Sequence, residues 1–191
     1  MKVGVLALQG AFREHIAALK SLGVETVEVR LPAQLEGLDG LIIPGGESTA
    51  IAKLMDKYGF YEAIAAEHER GMAVWGTCAG MILVAQRVIE GIADQRSLSL
   101  MDIEARRNAF GRQINSFETP LQFAGIGEVD AVFIRAPWIE SVGTGVEVLA
   151  EYDGHVVACR QGDIMATAFH PELTGDSSVH RFFTEQVVGS R

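Results

Sequence analysis

The sequence predicts an α/β fold: an open, mostly parallel sheet with helices on both faces, extended by antiparallel strands in its second half. Three observations carry that prediction. Short apolar runs alternate with amphipathic stretches through the first half, and glycine-rich junctions join run to stretch. Beyond about Gly91 the pattern breaks into short runs separated by Gly and Asp-Gly, as in hairpins.

Residues 2–8 are a Val/Leu-rich run. After Gln9-Gly10 the apolar positions Phe12, Ile16, Leu19 and Leu22 recur at helical spacing, so the chain opens as strand, tight loop and helix. Residues 24–29 read as a second strand, and residues 40–43 as a third that runs straight into Pro44-Gly45-Gly46. A helix starts at Glu47-Ser48-Thr49, where a hydroxyl is available to cap it, and continues to about Lys57. Residues 63–70 read as helix, residues 72–75 as a buried strand, and residues 79–90 as a helix entered through Gly76-Thr77-Cys78-Ala79-Gly80. Short strands follow at 97–104, 121–123, 131–134, 146–152, 155–159 and 164–168, and a closing helix spans about 177–188. With no internal repeat or low-complexity linker, one domain over residues 1–191 is expected.

Composition narrows the function classes. A formal net charge of −9, with no Lys/Arg run, offers no footprint for nucleic-acid phosphates, so no nucleic-acid partner is expected. Apolar stretches such as 79–85 fall far short of the roughly 20 residues that cross a bilayer, and Met1-Lys2-Val3-Gly4 enters strand pattern at once rather than a signal-peptide layout. A cytoplasmic protein without a membrane partner is expected. Only Cys78 and Cys159 occur, neither in a C-x-x-C pair nor beside histidines at ligand spacing, which argues for free thiols and against a structural zinc.

Gly76-Thr77-Cys78-Ala79-Gly80 is a G-x-C-x-G string at a strand-to-helix junction, the cysteine version of a nucleophile elbow. The turn is so sharp that side chains at 76 and 80 would strike neighbouring backbone. It lifts Cys78 to the carboxyl edge of the sheet and sets its sulfur at a helix N-terminus, which favours the thiolate. A buried structural cysteine beside packing glycines is the other reading. A nucleophilic cysteine needs a base, and the chain offers His15, His68, His155, His170 and His180. Only His170 sits in a constrained string, Ala168-Phe169-His170-Pro171-Glu172: Pro171 biases it toward extended geometry, and Glu172 can curl back to the ring and fix its tautomer. His68 reads as a solvated helix face, His155 as a turn residue and His180 as an exposed helix position. His15, on the first helix, reads as a surface or partner contact. The loop Pro44-Gly45-Gly46-Glu47-Ser48-Thr49 is weak alone, since no G-K-[ST] follows. Paired with the elbow, it supplies a Gly46 N–H that joins the Ala79 N–H as an oxyanion hole for amide hydrolysis.

Together the elbow and His170-Pro171-Glu172 resemble the triad of the class I glutamine amidotransferases, whose fold is a flavodoxin-like open sheet. Five strings narrow the resemblance to the glutaminase subunits of pyridoxal 5′-phosphate synthase. They are Leu8-Gln9-Gly10-Ala11-Phe12-Arg13-Glu14-His15, the Pro44 to Thr49 loop, Arg107-Asn108-Ala109-Phe110-Gly111-Arg112-Gln113, Phe133-Ile134-Arg135-Ala136-Pro137 and Phe169-His170-Pro171-Glu172-Leu173. The resemblance implies Cys78 as nucleophile, His170 as general base and acid, Glu172 as the residue orienting it, and L-glutamine contacts from Gly46, Glu47, Ser48, Arg107, Ile134 and Arg135. Arg107 and Arg135 suit the carboxylate end of an amino acid, with surface ion pairs as the plain alternative, and Ser48 is equally suited to cap a helix. Arg107 is preferred to Arg106 because it directly precedes Asn108. Cys159 matches no functional position and reads as a buried strand residue.

The implied reaction is hydrolysis of glutamine through a Cys78 thioester, with no metal or organic cofactor. The implied partner is the barrel-shaped synthase subunit that receives the ammonia. His15 and its helix neighbours are the expected docking surface, and docking is expected to raise a low activity by reorganising the Gly45-Gly46 peptide. A glutaminase serving another synthase, a cysteine peptidase or other hydrolase on the same scaffold, and a non-catalytic binding subunit are the competing readings.

Overall fold

The computed structural model describes residues 1–90, 96–110 and 116–189; the connector at 91–95 and the Gly111-Arg112-Gln113 part of one string lie outside the described residues. In chain order the first half runs β1 (Lys2–Leu6), α1 (Phe12–Ser21), β2 (Glu25–Val29), β3 (Gly40–Ile43), α2 (Ser48–Tyr58), α3 (Phe60–Glu69), β4 (Ala73–Thr77) and α4 (Ala79–Val84). The second half is strand-rich: β5 (Ala85–Ile89), β6 (Met101–Arg106), β7 (Ser116–Phe123), β8 (Gly127–Ile134), β9 (Trp138–Val142), β10 (Glu147–Tyr152), β11 (His155–Gln161) and β12 (Ile164–Thr167) precede α5 (Ser178–Phe182).

Ten strands form one sheet in the order β2-β1-β3-β4-β12-β11-β9-β6-β5, with β10 added beside β11; β7 and β8 make a separate antiparallel pair. The strands from β2 to β12 along this order are parallel, and the antiparallel additions begin where β11 meets β12. The central strands β3 and β4 are buried at every position, as expected of strands covered on both faces. Neighbouring positions of β4 show the two layers: Trp75 packs edge-on against His15 of α1 and tilted against Phe183 beyond α5, whereas Gly76 faces the Gly80 carbonyl of α4. Because β1, β3, β4 and β12 run the same way, the loops that leave them share one edge of the sheet.

The structure departs from the sequence reading in four places. The helix expected over 79–90 ends at Val84, and Ala85–Ile89 pairs as a parallel strand with β6, where the β-branched Val88 and Ile89 prefer a pleated neighbour. Strand β9, not foreseen, bridges β6 and β11. The cap of α2 is the Glu47 carboxylate, which accepts from the Thr49 and Ala50 N–H groups at 3.0 and 2.7 Å, rather than a hydroxyl. The closing helix is α-helical only to Phe182 and continues to Val188 as a widened π-turn, seating Phe183 and Val188 against the bare Cα of Gly40.

Candidate active site

The elbow follows from its glycines. A Cβ at Gly76 would run into the Gly80 carbonyl, and one at Gly80 into the Ile43 carbonyl of β3, so α4 folds this close to the sheet only without side chains there. Between them Cys78 is forced to φ 49°, ψ −102°, a region that costs a non-glycine residue about 1–3 kcal/mol. Its N–H donates to the Thr167 carbonyl at 2.8 Å, which ties the turn to β12. Cys78 is 7% exposed and lines a cleft of about 330 Å³.

His170 reaches the same cleft from the end of β12. Its N–H donates to the Val132 carbonyl at 2.8 Å, and its Nδ1 lies 2.7 Å from Glu172 Oε1, in the short turn Pro171–Leu173 that the proline starts. The glycine loop closes the group from above: a Cβ on Gly45 would meet the His170 ring and stand 3.2 Å from Cys78 Cβ. Burial disfavours charge on His170, but the Cys78 sulfur and the Glu172 carboxylate outweigh it and raise the imidazole to about 10. The site therefore favours the protonated ring, the form that can donate a proton.

The expected substrate contacts line the cleft: Gly46, Glu47 and Ser48 from the loop after β3 and the start of α2, Ile134 and Arg135 at the end of β8, Arg107 just after β6, and Ala79 next to Cys78 in the chain. Arg107 Nη2 lies 3.9 Å from Glu47 Oε1, while Arg106 turns away to bond Glu140 and Glu90 at 2.9 and 2.7 Å. Burial opposes ionisation of Glu47, yet the N–H groups of Thr49 and Ala50 hold its carboxyl below the usual range. The cleft thus presents charge of both signs, which fits a zwitterion. Gly45 donates its N–H to Thr77 Oγ1 at 3.0 Å and accepts at its carbonyl from the Ala11 N–H at 3.3 Å.

Two histidines are not where the sequence placed them. His15 and His180 are completely buried and bonded to each other, Nδ1 to Nε2, at 2.9 Å. His15 extends the stripe of Phe12, Ile16 and Leu19 at i, i+3, i+4, i+7, and His180 falls in register with Phe183, Thr184 and Val187. His68 is partly buried and bonds the Met72 carbonyl at 3.0 Å, and His155 opens β11 with its ring stacked on Trp138 at 3.5 Å. Cys159 is fully buried, and burial pushes its thiol up to about 12.

Residues 5–189 match the SNO glutamine amidotransferase family. The chain belongs to that family. It is similar to the pyridoxal 5′-phosphate synthase subunit PdxT of Dehalococcoides mccartyi, at 55% identity over 97% of this chain and 96% of the relative. The subunit of the same name from Herpetosiphon aurantiacus is 58% identical over 96% of this chain and 98% of its own. A crystal structure of a glutamine amidotransferase superposes with a TM-score of 0.93 at 49% identity, covering 98% of each chain.

Sequence reasoning missed four cleft residues of this glutamine amidotransferase: Gln9, Ile82, Asn108 and Pro137. Gln9 accepts from the Glu47 N–H at 2.9 Å, linking the loop after β1 to the loop after β3. Its position between a strand and Gly10 was the signal. Asn108 and Arg135 share with Cys78 a positive φ, at 45° and 44°, so half of the six such non-glycine residues among those described line this cleft.

Proposed function

We propose that this chain is the glutaminase subunit of a pyridoxal 5′-phosphate synthase, hydrolysing L-glutamine to glutamate and ammonia in the cytoplasm, with residues 1–191 acting as one domain. The observation that carries the reading is the buried line of Cys78, His170 and Glu172 at a cleft with charge of both signs, in a chain similar throughout to synthase subunits.

In this reading Arg107, Arg135 and Glu47 hold the ends of the amino acid and present its side-chain amide to Cys78. The sulfur attacks the amide carbon, and the oxygen takes up negative charge toward the Ala79 and Gly46 N–H groups. His170, in its protonated form, gives its Nε2 proton to the departing ammonia and then draws a proton from water that frees glutamate from the thioester. Glu172 keeps the ring turned throughout. The Gly45 carbonyl is held by Ala11 at the start of α1, so movement of that segment reaches the oxyanion loop directly. A barrel-shaped synthase subunit that grips α1 is the proposed activator and ammonia acceptor. Since His15 is buried, its exposed neighbours Arg13, Glu14 and Ala17 are the docking candidates.

Ammonia release from glutamine, measured with and without such a barrel subunit, tests chemistry and partner together. Strong acceleration by that subunit, and by no synthase subunit of histidine or purine synthesis, is expected. Equal turnover with all of them would refute the assignment.

A further inference from the structure

The carboxylate that orients His170 has a second neighbour, on the side away from that ring. Glu172 uses Oε1 on His170; its Oε2 is buried and has no hydrogen-bond partner among the described residues. A buried carboxylate oxygen left bare costs about 1–3 kcal/mol. His15 Nε2 lies 3.4 Å from this oxygen, with both side chains fully enclosed. This is not an ion pair: burial, then the positive fields of His180 and His170, push His15 well below its ordinary range and keep it neutral. What His15 offers is a tautomer.

Two independent contacts choose the same one. His15 Nδ1 lies 2.9 Å from His180 Nε2, and His180 Nδ1 is buried without a partner among the described residues. If His180 carries its hydrogen on Nε2 and donates to His15, the orphan atom on His180 is a bare nitrogen, and His15 carries its own hydrogen on Nε2, facing the carboxylate. The reverse arrangement buries an unpaired N–H on His180 and turns a lone pair of His15 onto an anion. The hydrogen bond of His15 Nε2 runs to Thr77 Oγ1 at 3.3 Å, the hydroxyl that holds the Gly45 N–H, and Glu172 Oε2 lies beside that bond at 3.4 Å, close enough to feel the N–H dipole.

We infer that His15 is a positioning residue for the glutaminase reaction: fixed by His180, its Nε2–H lies between Thr77 Oγ1 and the free oxygen of Glu172, steadies that oxygen by its dipole and so sets the ring of His170 against Cys78. The inference rests on the glutaminase reading above. His15 touches neither substrate nor sulfur, so its effect belongs to the chemical step and not to glutamine binding.

Side-chain geometry supplies the test. Glutamine at position 15 places an amide nitrogen where the imidazole Nε2 stood, whereas asparagine places one only at the Nδ1 position, facing His180. With the complex of this chain and a barrel subunit, His15→Asn is expected to lower kcat by roughly ten- to a hundredfold with KM within about twofold, and His15→Gln to recover kcat to within about threefold of the parent. In a Glu172→Gln background, His15→Asn should add less than about a twofold further loss, because both changes act on one contact. Full kcat in His15→Asn, or equal losses in the Asn and Gln variants, would overturn the inference. Should His15→Asn not accumulate as folded protein, His180→Leu removes the tautomer anchor while leaving His15 in place; an unchanged kcat there overturns it equally. Cys78→Ala is the control that separates the two levels. If that variant still releases ammonia, the glutaminase reading itself falls.

Discussion

Cys78 and Cys159 differ in every respect that governs thiol chemistry. Cys78 sits on a strained turn beside an imidazole raised to about 10, while Cys159 is sealed in β11 with its thiol pushed up to about 12 and its sulfur 3.4 Å from Met101 Sδ. Titration of the native protein with an alkylating glutamine analogue at pH 8 should therefore modify one thiol, at Cys78; rapid loss of both would show that the fold does not separate them. Gly45 is as demanding. A methyl group there meets the His170 ring, and displacements of about 1 Å at such a centre reduce rate by about 10²-fold, so Gly45→Ala should lower kcat to that extent while the protein stays folded. Kinetics beside a thermal melt checks both halves. Cys78, His170 and Glu172 were legible as a group because elbow and His-Pro-Glu strings are local. His15 and His180 were not, since one buried polar residue on an apolar stripe looks like a surface position until the partner 165 residues away is known.

At the scale of elements, the α4 junction is held by backbone approaches that admit no side chain. Gly80→Ala pushes a methyl group into the Ile43 carbonyl of β3 and should destabilise the protein by about 3 kcal/mol, read as a lower urea midpoint at unchanged m-value. An unshifted midpoint would mean that the elbow is looser than described. The alternation of the first half was readable because parallel strands covered on both faces are continuous apolar runs, as in β3 and β4. Strand β5 was not, because no Gly or Pro separates it from α4 and only pairing with β6 decides its conformation. Strand β9 escaped for a similar reason: Trp138 and Ile139 are its only apolar residues before Val142, and a strand held between β6 and β11 needs little pattern of its own.

For the whole molecule, the buried histidine pair ties stability to pH. Burial lowers His180 from 6.5 to about 4 and holds His15 well below its ordinary range, so the unfolded chain binds protons that the native state refuses. Stability from this source is complete above pH 6.5 and falls as pH drops through the window from 6.5 to about 4, with a slope of at most about 1.4 kcal/mol per pH unit for each histidine. His170 acts at the other end: raised to about 10, it stabilises fully below 6.5 and loses that contribution as pH climbs toward 10. Urea unfolding at a series of pH values should show the acid loss beginning near pH 6.5, and His180→Leu should flatten it. A flat profile down to pH 5 in the parent protein would contradict the burial of the pair.

The proposed chemistry places one covalent intermediate on one sulfur, and acid-quenched mass spectrometry of the complex during turnover with glutamine observes it directly. A single glutamyl adduct on the peptide that carries Cys78, absent in Cys78→Ala together with ammonia release, is the predicted result. Undiminished ammonia release by Cys78→Ala, or a glutamyl adduct on another residue, would contradict it.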